Sequence, residues 1–132
     1  MKTQMYVDNG NGIVTNMTEG LMWQKETPTV QMTWEEAFNY CENLNINCFT
    51  GWRLPTIQEL LSLVDYSTHN PAINLNYFPD TVSSFYWSST TYASNTSYAW
   101  GVNFNDGYGF YSNKLNSYYV RAVRDITTNS CM

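Results

Sequence analysis

Gly51-Trp52-Arg53-Leu54-Pro55-Thr56-Ile57-Gln58-Glu59-Leu60 is the stretch on which the reading of the fold turns. Pro55 disfavours helical geometry at Leu54, so the chain runs extended there, and Thr56 followed three places later by Glu59 is the signature of a capping box. An extended segment therefore hands over to a helix predicted over about Ile57 to Asp65. Upstream the signature recurs. Thr33 with Glu36 opens a helix predicted to run to about Leu44, with Trp34, Ala37, Phe38, Cys41 and Leu44 at the three-and-four spacing of one buried face. Glu35, Glu36, Asn39 and Glu42 face water, and Asn43, Asn45 and Asn47 end the helix. Before it, Tyr6-Val7 and Ile13-Val14-Thr15 flank the turn Asp8-Asn9-Gly10-Asn11-Gly12 as a hairpin, and Leu21-Met22-Trp23-Gln24 reads as a third strand. From Ser67 onward no helical period remains. Tyr86–Ser89, Ala99–Phe104, Tyr108–Tyr111 and Tyr118–Arg124 are β-like pieces, and Asn105-Asp106-Gly107 is a strong hairpin turn between the middle two. Two helices in the first half and a mainly antiparallel, loop-rich sheet region in the second define an α+β class. Trp34, Phe38, Trp52, Leu54, Leu60, Leu61, Leu63, Val64, Trp87, Val120 and Val123 are its predicted core. Arg53 is expected to bond carbonyls or a carboxylate of the scaffold.

The chain has 132 residues, 43% hydrophobic and 17% aromatic, enough for one compact domain over residues 1–132 and too few for two. Only 13% of residues are charged and the net charge is −5, the wrong sign for a nucleic-acid partner. No apolar run approaches the roughly eighteen residues of a membrane span, so direct membrane insertion is not expected. Met1 to Tyr6 lack the basic start and apolar stretch of a secretion signal. Cys41, Cys48 and Cys131 permit at most one intrachain disulfide. Cys41 late in the first helix and Cys48 in the loop after it can close a local disulfide or remain separate thiols, and Cys131 is expected to fray with the terminus.

Catalytic chemistry is thinly represented. His69 is the only histidine and lies in the turn Ser67-Thr68-His69-Asn70-Pro71, which reads as a solvated loop. No serine or cysteine stands in a nucleophile elbow, and adjacent Glu35 and Glu36 point in different directions on a helix, so they form no acid–base pair. The residues are those of a non-enzyme. The glycine-rich turn at Asp8–Gly12 lacks the alternating oxygens and the closing carboxylate of a calcium loop. Asn103, Asn105 and Asp106 offer oxygens to a calcium ion, but with one carboxylate among them the site would be weak, and no cofactor is expected.

The two halves use different alphabets. Glu, Lys, Gln, Met and Trp are frequent up to Tyr66, whereas residues 67–132 contain only Trp87, Trp100, Lys114 and Met132 from that set. Eight of the eleven tyrosines follow Tyr66, interleaved with Ser, Thr, Asn and Gly. Rigid amphipathic anchors among adaptable hydrogen-bonding neighbours make a recognition surface, but strands and turns favour the same residues, so composition leaves both readings open.

Val7-Asp8-Asn9-Gly10-Asn11-Gly12-x-Val14-Thr15, Gly20-Leu21-Met22-Trp23-Gln24, Thr33-Trp34-Glu35-Glu36-Ala37, Gly51-Trp52-Arg53-Leu54-Pro55-Thr56, Tyr86-Trp87-Ser88-Ser89-Thr90 and Tyr119-Val120-Arg121 form an ordered set of motifs over nearly the whole chain. Together they resemble the Lcl C-terminal domain family, named for collagen-like bacterial adhesins. The resemblance implies a C-type-lectin-like fold in which N- and C-terminal strands pair, two helices flank them and an irregular loop-and-sheet region displays a ligand face. It also implies an extracellular or cell-surface binding module of bacteria or phages. Some members are targets of diversity-generating retroelements, which randomise adenines. Asn codons of the form AAY then become NNY, which never encodes Glu, Lys, Gln, Met or Trp. Between Ser88 and Arg124 only Trp100 and Lys114 lie outside that set and would be unvarying positions. Members often carry a second Cys where this chain has Ala122, so a Cys41 disulfide to that strand is unavailable and Cys48 stands as its substitute. The acidic-plus-Asn cluster of calcium-dependent sugar-binding lectins is not cleanly present.

On this reading residues 88–124 form the ligand-display segment of a non-enzymatic domain that binds a protein or other surface ligand on another cell or surface. The expected ligand-binding residues are Tyr92, Ser94, Asn95, Tyr98, Gly101, Asn103, Asn105, Asp106, Tyr108, Phe110, Tyr111, Ser112, Asn113 and Leu115. The alternative is an adhesin head for glycans, including sulfated ones, against which the shortage of basic residues counts. An enzyme related to formylglycine-generating proteins would share the lectin-like core, but no reactive cysteine arrangement is identifiable.

Overall fold

The computed structural model describes residues 3–127. Strands β1 (Tyr6–Asp8), β2 (Ile13–Asn16) and β3 (Leu21–Gln24) are followed by α1 (Trp34–Glu42) and α2 (Ile57–Leu61). Then come β4 (Phe85–Thr91), β5 (Tyr98–Asn103), β6 (Tyr108–Asn113) and β7 (Val123–Asp125). They form two antiparallel sheets of order β1-β2-β3-β7 and β4-β5-β6. The α+β reading therefore holds. β7 returns to pair with β3, Trp23 opposite Val123, so the N-terminal and C-terminal strands share one sheet.

Local chemistry sets the helix starts. Thr33 and Thr56 are both N-caps of complete capping boxes, each accepting the N3 amide while Glu36 or Glu59 bonds back to the cap amide. The first helix matches its predicted face, with Ala37 and Cys41 buried. The second is shorter than predicted. It ends at Leu61 with Ser62 as C-cap, and the chain continues through turns, because Val64 pairs with Ile73 and the Asp65 amide donates to the Ala72 carbonyl. Arg53 forms a fork to both Glu59 oxygens at 2.7 and 2.9 Å and reaches Asp125 at 2.9 Å, so the start of α2 is tied to β7.

Apolar side chains collect in two clusters, and single strands feed both. Val14, Trp23, Leu60, Leu63, Phe78, Tyr86, Val102, Phe104 and Val123 build one with α2. Ile13, Met32, Ala37, Cys41, Trp52, Leu54, Phe85, Trp87, Val120 and Ala122 build the other with α1. Neighbouring residues such as Ile13 and Val14, or Phe85 and Tyr86, thus face opposite cores, as strand alternation requires. Of the predicted core, Trp34, Phe38, Leu61 and Val64 are only partly buried, and Tyr86 and Phe104 join it from the β-like pieces and Phe78 from the loop before them.

Two expectations are corrected. The predicted strand Tyr118–Arg124 is broken: Tyr118 bridges Met32, Tyr119 bridges Tyr86, and only Val123 onward pairs in the first sheet. This segment crosses between the sheets, so no single strand partner serves its whole length. The Cys41–Cys48 disulfide does not form. Cys41 is a free thiol, 1% exposed inside the α1 cluster with Ala122, and Cys48 is disulfide-bonded elsewhere. The reason is local: α1 points Cys41 inward, whereas Asn47 and Cys48 both adopt positive φ, 48° and 74°, in an outward loop closed by the Ile46–Phe49 bridge. Cys131 lies outside the described residues.

Candidate ligand-binding face

The hairpin β5–β6 is closed by a turn that its own side chains shape. The Gly107 amide donates to the Asn103 carbonyl at 2.7 Å, Asn103 Oδ1 accepts the Asn105 amide, and Asp106 Oδ1 accepts the Tyr108 amide. Gly107 has φ +86°, and a Cβ there would sit 2.5 Å from Val64 Cγ1, so the turn is docked against the chain after α2. Asn103 and Asp106 thus spend oxygens on the turn. Among the described residues no group of three or more His, Cys, Asp or Glu side chains converges.

Register separates the remaining residues into two faces. Tyr98 and Trp100 lie beside Asn113 and Tyr111 on one, while Ala99, Gly101 and Asn103 lie beside Ser112, Phe110 and Tyr108 on the other. On the first face Tyr111 is the centre of an aromatic group. Tyr92 stacks on it at 4.1 Å between centroids and 15° between planes, and Tyr98 and Trp100 meet it edge-on at 5.8 and 5.7 Å. The Phe110 ring lies parallel to Tyr111 at 5.0 Å. Such offset and edge-on contacts fix ring positions, and Tyr92, Tyr98, Trp100 and Tyr111 all stay partly exposed. Tyr108, Phe110 and Leu115 are the most exposed of the group, at 68, 61 and 84%.

Two loops complete this end of the sheet. In the first, Tyr92–Tyr98, the Tyr92 amide donates to the Tyr98 carbonyl and Asn95 Oδ1 accepts the Ser97 amide, leaving Ser94 exposed. In the second, Asn113 Oδ1 accepts the Leu115 amide, and Ser112 and Tyr118 hydroxyls meet at 2.8 Å. Lys114 clasps the two loops to α1. Its amide donates to the Ser97 carbonyl, its ammonium lies 4.0 Å from the Trp34 ring centroid and bonds Thr91, and its carbonyl accepts the Trp34 amide.

Tyr92, Ser94, Asn95, Tyr98, Tyr111, Ser112, Asn113 and Leu115 are therefore gathered at the Lys114 end. Asn103, Asn105, Asp106 and Tyr108 lie at the opposite, turn end, with Phe110 between the groups. Gly101 is on neither surface. It is buried beneath Phe85, where a Cβ would collide with the Tyr86 carbonyl oxygen and the Phe85 ring. Trp100, Tyr118 and Trp34 frame the Lys114 end; the first two lie in the expected display segment but not among its expected ligand-binding residues, and Trp34 is expected in the core. For Trp34 the signal is absent, because its partner is eighty positions away. The three basic side chains of the second half are all engaged: Lys114 as above, and Arg121 and Arg124 at 1% exposure. The arrangement offers ring faces, hydroxyls and amides, and no free cation among residues 88–124.

No helix among the described residues is long and apolar enough to cross a membrane. No curated protein matches the chain. The family model for the Lcl C-terminal domain matches residues 12–124, from the first hairpin turn to β7. The chain belongs to the Lcl C-terminal domain family, a family of surface-associated domains.

Proposed function

We propose that this domain is a non-enzymatic, extracellular ligand-display module of C-type-lectin-like fold, which binds a protein or other surface ligand through the aromatic group at the Lys114 end of β4-β5-β6. The observation that carries this reading is the Tyr92–Tyr111–Trp100–Tyr98 assembly. Four rings are held in contact at one end of β4-β5-β6, with exposed Ser94, Leu115 and Phe110 around them. Rigid aromatic anchors lose little conformational freedom on binding, and Ser and Asn neighbours supply adaptable hydrogen bonds. Pairing of β3 with β7, the two flanking helices and a separate loop-bearing sheet support the lectin-like reading.

Diversification of the face by a retroelement is part of the proposal. Its support is the placement of the two residues outside the restricted alphabet: Trp100 lies behind Tyr92 and Tyr111, and Lys114 clasps both loops to Trp34. Both are scaffold contacts, while exposed loop positions around them draw on the restricted set. A sulfated glycan is the weaker ligand class, since no cation stands free on the face to attract it.

Sequencing the encoding locus in many cells of the source population tests the diversification. A near-identical template repeat with adenine-directed differences between codons 88 and 124, sparing Trp100 and Lys114, is the expected result. An unvarying locus without a template overturns it and leaves a dedicated adhesin. The ligand class is read on arrays of neutral and sulfated glycans beside arrays of bacterial surface proteins. Binding to protein spots that is lost in Tyr111→Ala and little changed between low and high salt supports the proposed class, and salt-sensitive binding confined to sulfated glycans sinks it.

A further inference from the structure

The edge of β6 is open, and its open groups have a two-fold pattern. In an antiparallel sheet, alternate residues turn their backbone groups toward opposite neighbours. On β5 the Tyr98 carbonyl accepts the Tyr92 amide and the Trp100 carbonyl accepts Ser88 Oγ, so these residues face β4. Ala99, Gly101 and Asn103 therefore face β6, opposite Ser112, Phe110 and Tyr108. The bond from the Lys114 amide to the Ser97 carbonyl continues the same alternation. Gly109 and Tyr111 consequently turn their N–H and C=O groups away from the sheet, and no partner meets them among the described residues. The next outward carbonyl, that of Asn113, is taken by the Asn116 amide.

This edge carries none of the usual protections. Tyr108-Gly109-Phe110-Tyr111-Ser112-Asn113 has no charge and no proline, and its register with β5 is unbroken. The other strand edges are covered or short. Tyr119 pairs along the outside of β4, Arg53 along β7, and β1 has three residues ending in the Asp8–Lys25 ion pair.

We propose that β6 pairs antiparallel with β6 of a second copy of this chain, about a two-fold axis through Phe110. In that register each Gly109 lies opposite Tyr111 of the other copy, and four N–H···O bonds satisfy all four open groups. Phe110 faces Phe110 as a non-hydrogen-bonded pair, the closer of the two antiparallel pairings, which covers the exposed rings. Charge fits the same axis. Asp106 and Lys114 are the only charged residues between Phe104 and Ser117, and they stand equally far on either side of Phe110. The two-fold therefore sets the acidic turn of one copy beside the Lys114 end of the other at both ends, a complementarity of charge that leaves the Lys114 ammonium on Trp34 and Thr91. A self-complementary patch of this kind closes as a dimer, and the two three-stranded sheets become one of six strands. The pairing takes Phe110, at the border of the proposed ligand face, and leaves the loops that bear Ser94 and Leu115 at the Lys114 end away from the axis.

Sedimentation velocity of the domain over a concentration series tests the proposal, with Phe110→Lys as the disrupting variant. Phe110 is 61% exposed, so the substitution leaves the fold intact, as circular dichroism will show. The wild type is expected to associate to a dimer, and Phe110→Lys to weaken association by about tenfold or more by placing like charges on the axis. A wild type that stays monomeric up to about 1 mM overturns the proposal, and so does a dimer that Phe110→Lys leaves unchanged. Register is read with Phe110→Cys oxidised by copper–phenanthroline. A non-hydrogen-bonded pair about 4.5 Å apart at Cα is within disulfide reach, so a cross-linked dimer is expected at position 110. Leu115→Cys is more exposed and off the axis, and is expected to remain largely uncross-linked. Equal cross-linking at both positions overturns the register.

Discussion

At Gly101 a single added carbon decides whether the display sheet can form. A Cβ would fall within contact distance of the Tyr86 carbonyl and the Phe85 ring, and neither can withdraw, since one is backbone and the other is packed against Trp87 and Tyr118. Gly101→Ala is expected to cost about 3 kcal/mol in urea unfolding. Gly109→Ala, whose Cβ would find its nearest neighbours at 3.8 and 3.9 Å, is expected to stay within about 0.5 kcal/mol. Gly101 is thus a fixed position inside the display segment although its codons belong to the restricted alphabet. Cys41 is another residue whose environment sets its chemistry. Burial pushes its thiol up to about 12, so it is protonated at neutral pH. Iodoacetamide at neutral pH is expected to leave Cys41 unmodified in the folded domain and to label it after denaturation, as peptide mass spectrometry would show.

At the scale of elements, α2 has five residues and depends on its cap. Thr56→Ala removes the acceptor for the Glu59 amide, and a loss of about 1 kcal/mol is expected. Glu59 does two jobs, closing the capping box and receiving Arg53. Burial alone would raise its pKa, but the bonds from the Arg53 guanidinium and the Thr56 amide outweigh it and hold the carboxyl below its ordinary value. The linkage follows from that direction. A depressed folded pKa gives stability that is fully present above the ordinary value of 4.5 and is lost as the pH falls through the folded value. Urea midpoints measured from about pH 7 to about pH 3 should therefore fall at the acid end, and Glu59→Gln should flatten that part of the profile.

At the scale of the whole molecule, Arg121 joins segments that nothing local connects. Its Nη1 donates to the Gln24 and Lys25 carbonyls at 2.7 and 2.5 Å, and its Nη2 to the Thr27 and Thr81 hydroxyls at 2.9 Å each. The guanidinium lies 4.8 Å from the Phe78 ring centroid, and the Asp80 carboxylate stands 3.9 Å away. Arg121→Lys keeps the charge but cannot span four acceptors from one planar group, and leaves carbonyls and hydroxyls unpaired in the core. A loss of about 3 kcal/mol or more in urea unfolding is expected, with Arg53→Lys, half-exposed at the rim of α2, losing less.

The sequence by itself determined what depends on neighbours within a few positions. Thr33 with Glu36 and Thr56 with Glu59 mark helix starts, and the glycine turns mark the hairpins β1–β2 and β5–β6. The clustering of helices in one half and sheet in the other gives the α+β class, and the ordered motifs give the family. Tertiary structure decided the rest, because the determining partners lie far apart in the chain. Tyr118–Arg124 looks like one strand until Met32, Tyr86 and Trp23 claim its parts. Arg121 and Arg124 are buried only because remote segments enclose them, Arg121 through the Gln24 and Lys25 carbonyls and Arg124 through the Thr50 carbonyl and the Phe49 ring. The display residues look like one continuous face, but register and the turn at Gly107 send Asn103, Asn105 and Asp106 to one end and Tyr92, Tyr98 and Tyr111 to the other. Cys41 and Cys48 are seven positions apart in sequence, yet a buried helix face and an outward left-handed turn keep them from pairing. Local patterns fix backbone conformation through short-range sterics and hydrogen bonds. Which surfaces are buried, and which side chains converge, is set by packing between distant segments, to which local periodicity is blind.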